Sequence, residues 1–142
     1  YLVTPEPMTL GWAYGAPGET FPGWLVLRDV EQQTGIAWCG QGFGPKNPWG
    51  LVFLDKASIP GMGMDAGWHS TFLSSFFESL TSTRLAIWRI YSEDLHSHLW
   101  SPVSDEMSWS AVWQKTMSLR EVAPAGRYHV ASAEQRRLGL GG

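Results

Sequence analysis

The sequence has little cysteine, little charge and no long hydrophobic run, and each shortage excludes a class of protein. Its 142 residues include a single cysteine, so an intramolecular disulfide is excluded and a reducing compartment is favoured. We therefore expect the protein in the cytoplasm. No apolar run in the sequence approaches the roughly 20 residues that are needed to cross a bilayer, and we expect no contact with a membrane.

Charged residues make up only 16% of the chain, with a formal net charge of -3, whereas an average domain has roughly 25%. The ten lysines and arginines are scattered along the sequence and form no basic stripe. Because proteins that bind nucleic acid concentrate positive charge on one face, we expect no nucleic-acid partner.

Aromatic side chains are what the sequence has in excess. It contains nine tryptophans, six phenylalanines and four tyrosines, which is more ring than the core of one small domain usually encloses. Some rings should therefore line a pocket or a contact surface, where tryptophan is enriched. This surplus predicts a non-catalytic binding domain, without a cofactor, that holds a small apolar ligand or a protein partner. The residues expected to contribute are Trp38, Phe43, Trp49, Met62, Met64 and Trp100.

Three strands are predicted in the stretch that begins at Gly23. Residues 24–30 and 36–40 are apolar and separated by a polar turn that ends in glycine, which is typical of a hairpin. Residues 49–54 form the third strand. The intervening loop, residues 40–48, contains three glycines and two prolines, which exclude a helix and most ladder pairing. We therefore place this loop on the surface beside the sheet.

A helix is predicted over residues 66–80. Large apolar side chains recur every four residues from Trp68 to Leu80, and this spacing places them on one face of a helix that packs on the sheet. Asp65 precedes the run and is suited to cap the free N–H groups of the first turn.

The segment 104–122 fits two structures, because its apolar residues fit a helical stripe and also alternate as in a strand. Its length without glycine or proline favours a helix over residues 105–120. The predicted fold is therefore α+β, with helices packed on a mainly antiparallel sheet of five to seven strands. The alternative is a mostly-β half-barrel with one helix. We expect one globular domain over residues 1–133 and a frayed tail over residues 134–142.

The best metal-ligand pattern is formed by Asp94, His96 and His98. In an extended segment these side chains project to one side, and a carboxylate with two imidazoles suits a divalent metal such as zinc or iron(II). A polar turn between two strands is the competing interpretation. Cys39 would act as a nucleophile only with a histidine near it, whereas a free cysteine is usually a buried core residue. These four residues define the alternative function, a small metal-dependent or cysteine-dependent enzyme.

The surplus of rings also predicts self-association. Large exposed apolar patches usually mark contacts, and the commonest assembly among soluble proteins is a two-fold homodimer. Two segments combine rings with irregular or ambiguous structure: residues 40–49, with Phe43 and Trp49, and residues 99–113, with Trp100. We expect a homodimer that forms through one of them.

Overall fold

The computed structural model of the chain describes residues 1–55, 58–62 and 67–138. These residues fall into two compact units, and the boundary lies between Thr81 and Ser82. Strands and helices are both present in the described residues, which confirms the predicted α+β class. No described helix is long and apolar enough to cross a membrane.

The N-terminal unit is built on a six-stranded sheet. Its strands are β1 (Leu2–Trp12), β2 (Thr20–Asp29), β3 (Thr34–Trp38), β4 (Trp49–Phe53), β5 (Gly61–Met62) and β6 (Trp68–His69). They lie in the order β5-β1-β2-β3-β4-β6, and all pairs are antiparallel except the parallel pair of β1 and β5. Helix α1 (Phe72–Glu78) follows, and the boundary between the units falls inside α2 (Leu80–Arg84).

One face of this sheet carries the hydrophobic core of the N-terminal unit. Side chains alternate between the two faces of a strand, and the inner set is buried. Its members are Leu10, Leu25, Ala37, Cys39, Val52 and Met62. Helix α1 packs on the other side of the sheet at β4, but two tryptophans on that side stay well exposed. This partly covered face is where a binding surface can form.

The helix predicted over residues 66–80 is wrong in its start and in its continuity. Helix α1 begins at Phe72, and its cap is Thr71, whose side-chain oxygen accepts a hydrogen bond from the Ser74 amide at 3.1 Å. The helix stops at Glu78, before α2. The predicted cap, Asp65, lies outside the described residues.

Long-range pairing explains why the helix starts late. Trp68 belongs to β6 and pairs opposite Gly50 of β4. A Cβ atom at Gly50 would lie 2.2 Å from the Trp68 ring, so the glycine leaves the space that the ring occupies. Pairing in the sheet therefore determines the conformation of Trp68, although Trp68 has the four-residue spacing of the helix.

In the part of the chain that the structure describes, the C-terminal unit begins with the end of α2 and combines a three-stranded antiparallel sheet with two further helices and a 3-10 turn, Pro124–Gly126. Its elements are β7 (Trp88–Glu93), β8 (Trp100–Pro102), α3 (Trp109–Val122), β9 (Tyr128–Ser132) and α4 (Ala133–Leu138). Strand β7 is central, between β8 and β9. Helix α3 confirms the helical interpretation of residues 104–122, although it begins at Trp109. The predicted sheet is thus divided between the two units.

Helix α4 lies in the segment that was predicted to be a frayed tail. Its start is a capping box, in which Ser132 and Gln135 exchange hydrogen bonds. The Ser132 amide donates to Gln135 Oε1 at 2.9 Å, and the Gln135 amide donates to Ser132 Oγ at 3.0 Å. The Ser-x-x-Gln spacing is the sequence signal that the prediction overlooked. The division into one domain over residues 1–133 and a tail stays a prediction.

Candidate functional site

Three tryptophans lie side by side on the partly covered face of the six-stranded sheet. Trp24 of β2 pairs opposite Trp38 of β3, which in turn pairs opposite Trp49 of β4. Residues directly opposite each other in antiparallel strands project to the same face, with Cβ atoms about 4.5–5.5 Å apart. The three side chains form a row across three strands, which we call the tryptophan row.

A β-bulge brings Trp24 and Trp38 to the same face. The pairing of β2 with β3 shifts by one residue between Leu25 and Leu27. Without this shift Leu25 would pair opposite Trp38 in place of Ala37. A slip of one residue turns a side chain to the other face of the sheet, so Trp24 and Trp38 would then lie on opposite faces.

The tryptophan row is open to solvent at one end and anchored at the other. Trp24 and Trp38 are 44% and 38% exposed. The Trp49 ring packs edge-on against Phe72 of α1, with 5.6 Å between ring centroids. Ser75 of α1 donates a hydrogen bond to the Trp49 carbonyl oxygen at 2.9 Å. Helix α1 therefore holds one end of the row and leaves the other free for contact.

The residues beside the open end of the row are uncharged. Pro7 of β1 pairs opposite Trp24, and Thr9 pairs opposite Pro22 on the same face. All four of these side chains are exposed. The open end is therefore an apolar surface on a regular sheet, without ionic groups among these neighbours.

Two other predicted binding residues pack inside the N-terminal unit. The Phe43 ring lies 5.0 Å from that of Trp12, 5.8 Å from that of Tyr14 and 6.2 Å from that of Trp68, between centroids. Met62 is fully buried in the core. Both residues hold the loop after β3 and the short strand β5 against the sheet, and neither belongs to the tryptophan row.

Trp100 lies in the C-terminal unit, where its ring contacts an imidazole and a guanidinium group. The His129 ring stacks on it with 4.2 Å between centroids and 7° between planes. The guanidinium carbon of Arg136 lies 4.0 Å from the same Trp100 ring. The Trp100 ring is therefore held by a stacking contact with an imidazole and by a cation–π contact.

Of the six residues predicted to bind, two share the tryptophan row, Trp38 and Trp49. Met64 lies outside the described residues. Trp24 was missed as a site residue, although it was placed in a strand, because alternation alone does not show which residues face each other across a hairpin with a bulge.

The segment with the metal-ligand pattern is a turn between β7 and β8, as the competing interpretation expected, and not the extended stretch on which the metal-ligand pattern depends. The Asp94 carboxylate accepts hydrogen bonds from the backbone amides of Ser97 at 2.9 Å and His96 at 2.8 Å. These bonds, first that from Ser97, hold the pKa of Asp94 below its usual range. His98 has a left-handed backbone, with φ of 56°. In the described ranges no three His, Cys, Asp or Glu side chains are placed to hold a metal ion, and metal binding stays a prediction.

Cys39 is fully buried in the N-terminal core. Its thiol donates a hydrogen bond to the Pro22 carbonyl oxygen at 3.5 Å. These surroundings are typical of a core thiol, and they give no support to the nucleophile in the alternative function.

Glu93 of β7 is the centre of a polar network that the sequence did not reveal. One carboxylate oxygen accepts a hydrogen bond from His129 Nε2 at 2.9 Å and lies 3.5 Å from the Arg127 guanidinium. The other oxygen accepts a hydrogen bond from His98 Nδ1 at 3.1 Å. The bonds from His129 and His98 lower the pKa of Glu93, and the charge on Arg127 adds to this. The network joins β7 to β9 and to the turn before β8 through charge-assisted contacts.

We expect the protein to lose stability in acid as Glu93 becomes protonated. Because its pKa is lower in the folded state, its stabilising effect is complete above the ordinary glutamate pKa of about 4.3 and is lost as the pH falls through the folded pKa. The melting temperature should therefore fall more steeply in the wild type than in Glu93→Gln between about pH 5 and pH 3. Glu121→Gln, which removes an exposed carboxylate on α3, should keep the wild-type slope. Parallel slopes for the wild type and Glu93→Gln would contradict this assignment.

Comparison of the chain with models of protein families, with curated proteins and with solved structures found no match. The function must therefore be inferred from the surfaces of the molecule itself.

Proposed function

We propose that this protein is a non-catalytic binding domain and that it binds through the tryptophan row. The observation that carries this proposal is the pairing of Trp24 with Trp38 on one sheet face, both with more than a third of their surface exposed. Exposed apolar surface of this kind usually marks a contact. Tryptophan is also the residue type that most often dominates binding energy at protein interfaces.

The sheet supports the rings in a way that favours binding. Backbone pairing on both sides of β3 fixes the strand that carries Trp38, and α1 fixes Trp49. A surface that is already ordered loses little conformational entropy when a partner arrives, so more of the contact energy is available for affinity.

The partner that we propose is a second copy of the chain. A two-fold contact brings the same surface of both copies together, and the uncharged residues at the open end of the row create no like-charge repulsion. Two sheets that meet face to face pack about 10 Å apart with interdigitated side chains. Of the two segments predicted to form the dimer, residues 40–49 contribute to this face through Trp49. A cytoplasmic location, which the lone cysteine favours, belongs to the same proposal.

Light scattering coupled to size exclusion, at micromolar concentration, tests the dimer. The wild type should show twice the monomer mass of 15.8 kDa. Trp24→Glu and Trp38→Glu should each be monomeric, because a carboxylate in the centre of an apolar contact is left without water or a partner charge.

The matched control is Trp113→Glu. Trp113 lies on α3 of the C-terminal unit and is 44% exposed, as Trp24 is, so the variant makes the same chemical change away from the row. It should remain dimeric. A wild-type mass near 15.8 kDa, or dissociation by Trp113→Glu alone, would rule out the proposed interface. Far-UV circular dichroism must show that each variant is folded.

A further inference from the structure

The N-terminal unit contains a cavity of about 120 Å³ that opens to solvent. It lies beside strands β2, β3 and β4, next to the end of α1. Its apolar walls are formed by Leu27, Leu51, Val52, Phe53 and Leu80. Apolar cavities of about 150 Å³ stay dry and bind benzene. This cavity therefore has room for most of a group of that size, and its opening allows the rest of a ligand to reach water.

Among the described residues, four polar side chains line this cavity, Thr34, Glu78, Ser79 and Thr81, and two of them, Glu78 and Thr81, offer it hydrogen-bond acceptors. Thr81 lines the cavity, and its hydroxyl donates to the buried Asp29 carboxylate at 2.8 Å. With its proton committed there, the Thr81 oxygen offers the cavity only its lone pairs. Glu78 also lines the cavity and is the one charged residue among the described lining residues. A ligand that satisfies these groups has to supply donors.

The charge on Glu78 is not balanced by a partner within residues 1–55, 58–62 and 67–138. Its carboxylate accepts no hydrogen bond and forms no ion pair there. Glu78 is also the last residue of α1, whose final turn has no basic side chain. A carboxylate without a partner charge favours a cation beside it, so a positively charged group of a ligand would be stabilised at this point.

We propose that the cavity binds a small primary ammonium ion whose apolar part is about the size of a benzene ring. The apolar part enters between Leu27, Leu51 and Phe53. The ammonium group stays at the opening, where its three N–H donors face Glu78 and Thr81. None of the three tryptophans of the row lines the cavity. The ligand site and the proposed dimer can therefore be tested independently.

Benzylamine and its uncharged analogue benzyl alcohol test the site by calorimetric titration at pH 7 and low salt. Benzylamine should bind about fivefold more tightly, because an ion pair at a partly exposed site contributes up to ~1 kcal/mol. The preference should shrink as salt is added, since salt screens exposed charges. Glu78→Gln should remove the preference and leave the affinity for benzyl alcohol unchanged. Glu121→Gln, the same change on α3, should keep the preference for benzylamine.

Leu51→Phe fills the cavity and should weaken the binding of both probes at least about tenfold. If this variant does not fold, amide chemical-shift changes on addition of benzylamine to the wild type locate the site, and they should centre on Leu27, Leu51 and Phe53. Equal affinities for the two probes, or a preference that survives Glu78→Gln, would overturn the ammonium specificity. No binding of either probe up to ~10 mM, or shifts centred elsewhere, would overturn the site.

Discussion

Trp88→Ala is expected to lower the free energy of unfolding by about 3–5 kcal/mol. Trp88 begins the central strand of the C-terminal sheet and is only 3% exposed. Its ring packs edge-on against Trp109, with 4.8 Å between centroids. Its indole N–H donates a hydrogen bond to the Ser82 carbonyl oxygen at 2.8 Å. Truncation leaves a large void and an acceptor without this donor, against a total stability of about 5–15 kcal/mol.

Urea denaturation followed by circular dichroism measures this loss, and Trp113→Ala is the matched control. Trp113 is 44% exposed on α3, stacks on Trp109 at 6.2 Å and lies under the Arg120 guanidinium at 5.6 Å. Its truncation should cost about 1 kcal/mol or less. Trp88→Phe keeps a ring but loses the N–H donor, so its loss of unfolding free energy should lie between those of Trp88→Ala and Trp113→Ala. If both alanine variants lost the same free energy of unfolding, Trp88 would contribute no more to the core of the C-terminal unit than the exposed Trp113 does.

Gly35→Ala is expected to cost about 2–3 kcal/mol or more. A Cβ atom at Gly35 would lie 2.5 Å from the Leu27 carbonyl oxygen and 2.8 Å from Leu25 Cδ1. The first of these is a backbone atom in the sheet, so it cannot move aside as a flexible side chain would. Leu25 and Leu27 also flank the bulge between β2 and β3. The substitution should therefore disturb the register that places Trp24 and Trp38 together.

Gly61→Ala provides the control, because a Cβ atom at Gly61 meets nothing within 4 Å among the described residues. It should change the free energy of unfolding by no more than about 0.5 kcal/mol. If Gly35→Ala proves as harmless, the close approach of Leu27 to Gly35 does not constrain the sheet. A folded Gly35→Ala protein should also dimerise more weakly than Gly61→Ala, which links the bulge to the proposed interface.

Much of the secondary structure could be predicted because it depends on local patterns. The strands after Gly23 follow from apolar runs that are separated by a polar turn and by a loop rich in glycine and proline. Helix α3 follows from a long segment without either residue. The start of α1 could not be predicted in the same way, because Trp68 has the spacing of the helix but is held in β6 by a partner about twenty residues away.

The candidate sites depended far more on the fold. Composition indicated that some rings would reach a surface, and Trp38 and Trp49 were among those named. It could not indicate that Trp100 packs against His129 and Arg136, since these residues come from different elements of the C-terminal unit. The network around Glu93 and the cavity beside Glu78 also escaped prediction, because each combines side chains from separate strands and helices.

The sequence by itself determined the α+β class, the lack of a disulfide framework and a surplus of rings that one core does not readily enclose, since these depend on composition and local spacing. Tertiary structure alone decided which rings are exposed. One additional residue in β2 shifts its pairing with β3 and turns Trp24 to the face that carries Trp38. Side chains alternate with a period of two along a strand, so a shift of one residue decides the face. No pattern within either strand records that shift, because it arises only when the two strands pair.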